Sequence, residues 1–106
     1  MIIFKPNHVK PILDGTKTQT RRIGARRWRQ YAEHQCKTNR FGEPFAIVRI
    51  EDVRSQRLGD ITMREARAEG GYDVRMFIDV WKEIHDIWDP ELVVWVVEFS
   101  LVAGLR

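Results

Sequence analysis

The chain has 106 residues, 43% of them hydrophobic and 31% charged, with a net charge of +3. That apolar fraction excludes intrinsic disorder and suffices for one core, so a single domain over residues 1–106 is expected. The longest apolar run, Leu92–Val97, is six residues, against the roughly 20 that a membrane helix needs, and a lone cysteine excludes an internal disulfide framework.

Ile2–Phe4 reads as a short opening strand. Asn7 is placed to cap a short helix, His8–Asp14, which Gly15 stops. Pro11 falls near its first turn, where a missing N–H costs least, and Val9, Ile12 and Leu13 supply an apolar side. Thr16–Arg22 alternates and is rich in threonine, the pattern of a strand. Gly24–Gln30 is a basic loop around Trp28, and Glu33–Thr38 a further short strand. After Gly42 and Pro44, Phe45–Val53 is a strand with Ala46, Val48 and Ile50 on one face. Thr62 and Glu65 form a capping box for a short helix ending at Gly70-Gly71. Asp73 caps a second helix to about Ile87, with the stripe Val74, Phe77, Ile78, Trp81, Ile84 and Trp88; Asp89-Pro90 breaks it. Leu92–Val102 is the closing strand, with Trp95, Val97, Phe99 and Leu101 toward the core and Val94, Val96, Glu98 and Ser100 opposite. About five strands interrupted by two to three helices make an α+β domain whose sheet curls into a small β-barrel to cover its edges.

Charge is spread unevenly. Residues 1–40 carry ten Lys/Arg and two Asp/Glu, whereas residues 41–106 carry eight and thirteen. Lys17, Arg21, Arg22, Arg26, Arg27 and Arg29 follow one another with no acidic residue between them. Such a stretch is either a solvated strand edge and loop or a surface that attracts polyanions, and the lack of acidic neighbours favours the second.

The only soft metal ligands are His8, His34, Cys36 and His85. They do not supply the paired four-ligand spacing of structural zinc, so no metal or cofactor is expected. Cys36 reads as a small buried residue. The richest segment is Gly15-Thr16-Lys17-Thr18-Gln19-Thr20-Arg21-Arg22. It is not a phosphate-binding loop, which needs several glycines and a Lys-Ser/Thr pair opening a helix. In a regular strand Thr18, Thr20 and Arg22 share a face and Lys17 points away. Lys17 and Thr20 therefore converge only if Lys17 still lies in the turn; otherwise the segment is a polar edge with a solvated lysine.

Gly15-x-Lys17-x-x-Thr20-x-Arg22 resembles the signature of the ASCH domain, Gly-x-Lys-x-x-Glu-x-Arg, and the element order fits over almost the whole chain. That family is similar to the RNA-binding PUA domain, so the resemblance implies a PUA-like barrel. Thr20 stands where the common pattern has glutamate. Small ASCH proteins that hydrolyse N4-acetylcytidine have threonine there, and their activity is attributed to a lysine, a threonine and a later glutamate, which by register is Glu69. The resemblance thus implies Lys17, Thr20 and Glu69 as catalytic residues.

The chemistry is sound. A threonine hydroxyl attacks an amide only if a base takes its proton. Lys17 serves if burial or the neighbouring Arg21 and Arg22 lower its pKa, and Glu69 orients it or relays the proton. Arg22, with Arg21, binds the substrate oxygen or stabilises an oxyanion. Tyr72, Trp28 or Phe41 are candidates to stack a base. The expectation is a cytoplasmic amidohydrolase acting on N4-acetylcytidine-type nucleosides. The rival is an RNA-binding module, or a ribonuclease, that holds RNA on Arg21, Arg22, Arg26, Arg27 and Arg29. The partner in either case is a modified nucleoside or RNA, with no membrane.

Overall fold

The computed structural model describes residues 1–105. Among them are five strands: β1 (Ile2–Ile3), β2 (Gln19–Arg22), β3 (Glu33–Lys37), β4 (Ala46–Arg57) and β5 (Val93–Gly104). Three α-helices accompany them: α1 (Val9–Asp14), α2 (Met63–Gly70) and α3 (Val74–His85). The sheet order is β1-β3-β4-β5-β2, parallel only between β1 and β3. β4 and β5, twelve residues each, form its spine, and their pairing shifts register between Ile47 and Val48 and again between Ile50 and Asp52. Extra residues of this kind bend and twist a strand. The sheet accordingly curls into a half-barrel, an α+β architecture of the PUA-like type.

Two buried clusters flank this spine. Phe4, Ile12, Phe45, Val48, Ile50, Val97 and Phe99 belong to one; Leu58, Ile61, Ala66, Phe77, Trp81 and Val94 belong to the other. Val97 and Phe99 alternate with Val94 and Val96 along β5, so α2 and α3 cover the face that a two-sided strand would give to water. The face of β5 expected to lie away from the core is therefore corrected: Val94 and Val96 are fully buried. Leu101, expected inside, is 41% exposed, because on this strand the first cluster ends at Phe99.

The helix termini depart from expectation at two places. Asn7 caps nothing. Pro6–His8 forms a 3-10 turn in which the His8 N–H bonds the Lys5 carbonyl, and α1 follows from Val9 without a side-chain cap. α3 stops at His85 rather than Ile87, because Asp86 takes a positive φ of 68° while its N–H still reaches the Lys82 carbonyl. Ile84, in the last turn of the helix, is exposed, and Trp88 lies beyond the helix, half-buried with its ring edge-on to Phe77. Trp95 is likewise half-buried, its indole N–H donating to the Gly24 carbonyl. The capping box at Thr62 and Glu65 and the Asp73 cap are formed as the sequence indicates.

Candidate active site

β2 starts only at Gln19, so Lys17 lies in the turn before it. Gly15 ends α1 at φ 84°, a left-handed conformation that glycine adopts without steric cost. The chain then threads between two helix ends. The Lys17 N–H donates to the Pro11 carbonyl (2.9 Å), and the Thr18 N–H to the Ala68 carbonyl (2.8 Å). The last carbonyls of a helix have no partner within it. Here the end of α2 finds one in Thr18 and another in the Lys17 side chain.

That side chain is almost wholly enclosed: Lys17 is 2% exposed. Its Nζ donates to the Gln19 and Glu69 carbonyls, both at 2.7 Å, with Glu69 Oε1 at 3.8 Å. Burial lowers its pKa to about 8; Glu69 opposes the shift, while Arg22 and Arg21 reinforce it. A neutral amine has two hydrogens, which the two carbonyls match. Loss of the proton therefore leaves both bonds intact and frees a lone pair. A carboxylate at 3.8 Å is too distant to be a hydrogen-bond partner for a third hydrogen.

Lys17, Thr20 and Glu69 all line one cavity of about 370 Å³. Thr20 and Glu69 are far apart in the chain, and the packing of β2 against the end of α2 closes that gap. Thr20 Oγ1 accepts a hydrogen bond from Arg22 Nε (3.1 Å). The same guanidinium donates through Nη2 to the Ile3 carbonyl (2.8 Å) and stacks over Phe4 (5.0 Å). A cationic donor on a hydroxyl oxygen stabilises the alkoxide and leaves the hydroxyl proton to be given elsewhere.

Arg21 points to the other side of β2, and its side chain is 0% exposed. Nη1 donates to Gln19 Oε1 (2.9 Å) and Glu69 Oε2 (3.0 Å); Nη2 donates to Gln56 Oε1 (2.7 Å) and Glu65 Oε2 (3.0 Å). The surface that sequence grouping gave to five arginines is thus divided. Arg21 is enclosed and Arg22 half-buried, while Arg26, Arg27 and Arg29 are exposed in the loop after β2. Arg26 is partly tethered, its Nε on the Trp28 carbonyl and its guanidinium 5.9 Å from the Trp95 ring.

Of the three candidate stacking residues, Tyr72 lines the cavity; Trp28 belongs to the core, and Phe41 is 94% exposed on the β3–β4 connection. Gly70 makes room for Tyr72: a Cβ there would lie 2.7 Å from the tyrosine ring. The Tyr72 hydroxyl hydrogen-bonds His8 Nε2 (3.2 Å). Burial, aided by the charges of Lys17 and Arg22, pulls His8 down to about 4, so it is neutral at pH 7. From α3, Phe77, Trp81 and His85 complete an apolar wall, with the Trp81 and His85 rings 4.0 Å apart. His8 and His85 escaped the sequence reading because they were weighed only as metal ligands. The i, i+4 spacing of Trp81 and His85 was the available signal for the second. Cys36 is fully buried, and burial pushes its thiol up to about 12, which leaves it unreactive. Among the described residues no group of His, Cys, Asp and Glu is arranged to hold a metal ion.

The ASCH domain family model matches residues 1–103. Solved structures share the fold at low identity. An ASCH domain from Lactobacillus crispatus is 18% identical, with a TM-score of 0.65 over 89% of this chain and 69% of that one. A protein of Enterococcus faecalis is 15% identical, with a TM-score of 0.70 over 94% and 74%. A variant ASCH protein from Zymomonas mobilis is 13% identical, with a TM-score of 0.70 over 99% and 73%. No curated protein sequence matches.

Proposed function

The chain belongs to the ASCH domain family, a PUA-like RNA-binding fold family, and from that premise we propose that its cavity is the active site of an amidohydrolase that deacetylates N4-acetylcytidine or a closely related acylated nucleoside. Thr20 Oγ1 attacks the acetyl carbonyl carbon while Lys17 Nζ accepts the hydroxyl proton. The C–N bond then breaks, Lys17 returns the proton to the departing amine, and cytidine leaves. Water, deprotonated by Lys17, hydrolyses the acetyl-threonine ester; acetate departs and the hydroxyl is restored. Arg22, already on Thr20 Oγ1, stabilises the negative charge that develops there. Glu69 holds Lys17 through its backbone carbonyl. Tyr72 and His85 are the aromatic rings placed to meet the base, with Trp81 packed behind His85.

The observation that carries this reading is a buried lysine, pulled down to about 8, in one cavity with a threonine whose oxygen accepts from an arginine. A solvated lysine on a polar edge has none of these features. Incubation with N4-acetylcytidine tests the reading: cytidine and acetate should accumulate in proportion to enzyme, and their absence overturns it.

Exposure of Arg26, Arg27 and Arg29 on the loop after β2 favours a second reading, in which this loop binds the phosphates of RNA. The two are compatible, since a free nucleoside does not need the loop.

A further inference from the structure

We propose that Arg21 is a positioning residue that holds the Glu69 carboxylate back from Lys17 and so keeps the lysine able to accept a proton. The inference rests on the catalytic reading of Lys17. Glu69 is shared between the two faces of β2. Its Oε2 is 3.0 Å from Arg21 Nη1, whereas its Oε1 stands 3.8 Å from Lys17 Nζ. All three side chains are nearly inaccessible to water, so these two contacts decide which cation owns the carboxylate.

Arg21 itself is pinned from behind. Its second amino group is held by Glu65 and Gln56, and Nε is its one donor without a partner among the described residues. Glu65 is fixed by four partners, one of them Gln56 Nε2 (3.1 Å to Oε1). Oε1 accepts from the Thr62 N–H (3.0 Å) in the capping box, and Oε2 accepts from Arg54 Nη2 (2.7 Å) as well as from Arg21. A chain of alternating charge, Arg54–Glu65–Arg21–Glu69, therefore runs from the partly exposed end of β4 to the buried lysine. A planar fork with several donors spans two carboxylates; an ammonium does not.

The consequence for Lys17 follows from the groups that face it: Glu69 from α2, Arg21 and Arg22 from β2, and His8, neutral at pH 7, from the turn before α1. Released by Arg21, Glu69 would close on Lys17 to hydrogen-bond distance. A buried ammonium paired in that way keeps its proton, and a lysine that keeps its proton is no base. Arg21, which also lines the cavity, thus acts as the clamp that prevents a tight Lys17–Glu69 salt bridge.

The test separates clamping from charge. Lys17 is titrated by NMR of its ε-position in Arg21→Lys, which keeps the charge and loses the fork, and in Arg21→Met, which loses both. In Arg21→Lys the Lys17 pKa should rise by about one unit, which leaves about tenfold less neutral amine at pH 7 and lowers kcat on N4-acetylcytidine about tenfold, with KM within about twofold. Raising the pH by about one unit should recover most of the loss. Arg21→Met should shift Lys17 further; if that variant fails to fold, Arg21→Lys decides alone. A Lys17 titration unchanged from wild type in folded Arg21→Lys overturns the proposal. Wild-type protein without turnover overturns the amidohydrolase reading instead, and the titration still decides the clamp.

Discussion

Arg21 and Arg22 stand in β2, and Arg26, Arg27 and Arg29 in the loop that follows; the two groups, within nine residues of one another, meet opposite environments. In β2, burial has been matched by partners: two carboxylates and two amides on Arg21, a hydroxyl and a carbonyl on Arg22. A buried charge without such partners costs several kcal/mol, so these buried cations are paired, with Arg21 Nε alone left without a partner among the described residues. In the loop the three arginines are exposed, with Arg26 tethered, through Nε, to the Trp28 carbonyl. Three of the six positive charges from Lys17 to Arg29 are therefore buried or half-buried, and only the other three are exposed. Clustered charge in a sequence does not become clustered charge on a protein unless the strand period permits it.

The largest expected effect lies on the buried side of this comparison. Lys17→Ala and Thr20→Ala should each lower kcat on N4-acetylcytidine by about a thousandfold or more, because each removes a group that the proposed reaction uses directly. Replacing Arg26, Arg27 and Arg29 together by alanine should leave that rate unchanged. A thousandfold loss in the loop variant would erase the distinction between the two groups.

Next in size is the wall that closes the cavity. Trp81 is 4% exposed and packs on Phe77 and His85. Trp81→Ala should cost roughly 3–5 kcal/mol in a denaturant titration.

The pH dependence sharpens the comparison further. Lys17 has a folded pKa of about 8, below its ordinary value of 10.5. It is a cation below pH 8 and an amine above, so kcat/KM should climb about tenfold per pH unit up to about pH 8 and then level off. The sign for stability is the same: the folded state loses the Lys17 proton first, so stability rises between pH 8 and 10.5. A flat profile from pH 6 to 9 would remove Lys17 from the role of base.

The smallest effect belongs to the loop. Its three exposed arginines should each contribute about −0.7 to the slope of log K against log salt for single-stranded RNA, so the triple alanine variant should reduce the slope by about two units. RNA affinity that ignores both salt and the triple substitution would make the loop a solvated connection.

Local rules were readable where one residue does one job. Gly15, Asp73 and the Thr62–Glu65 box each end or begin a helix by a geometry that depends on near neighbours, and each was legible. Lys17 and Thr20 were singled out by the resemblance of their segment to the ASCH signature; spacing alone allowed them to converge only if Lys17 lay in the turn, which is where it lies. What the sequence hides are residues with two partners far apart in the chain. Glu65 reads as a cap and is also the anchor of Arg21, 44 positions away. Val94 and Val96 read as the outer face of β5, because nothing local announces that α2 and α3 pack there. Arg21 reads as a ligand for substrate or phosphate, and its enclosure is hidden because it depends on Gln56, Glu65 and Glu69 arriving together.

The central claim, that the buried group and not the loop carries the chemistry, is tested most directly by following cytidine release from N4-acetylcytidine for wild type and Thr20→Ala side by side at pH 8. The account predicts steady release by the wild type and almost none by the variant, with both folded by circular dichroism. Equal rates, or no release by the wild type, would contradict it.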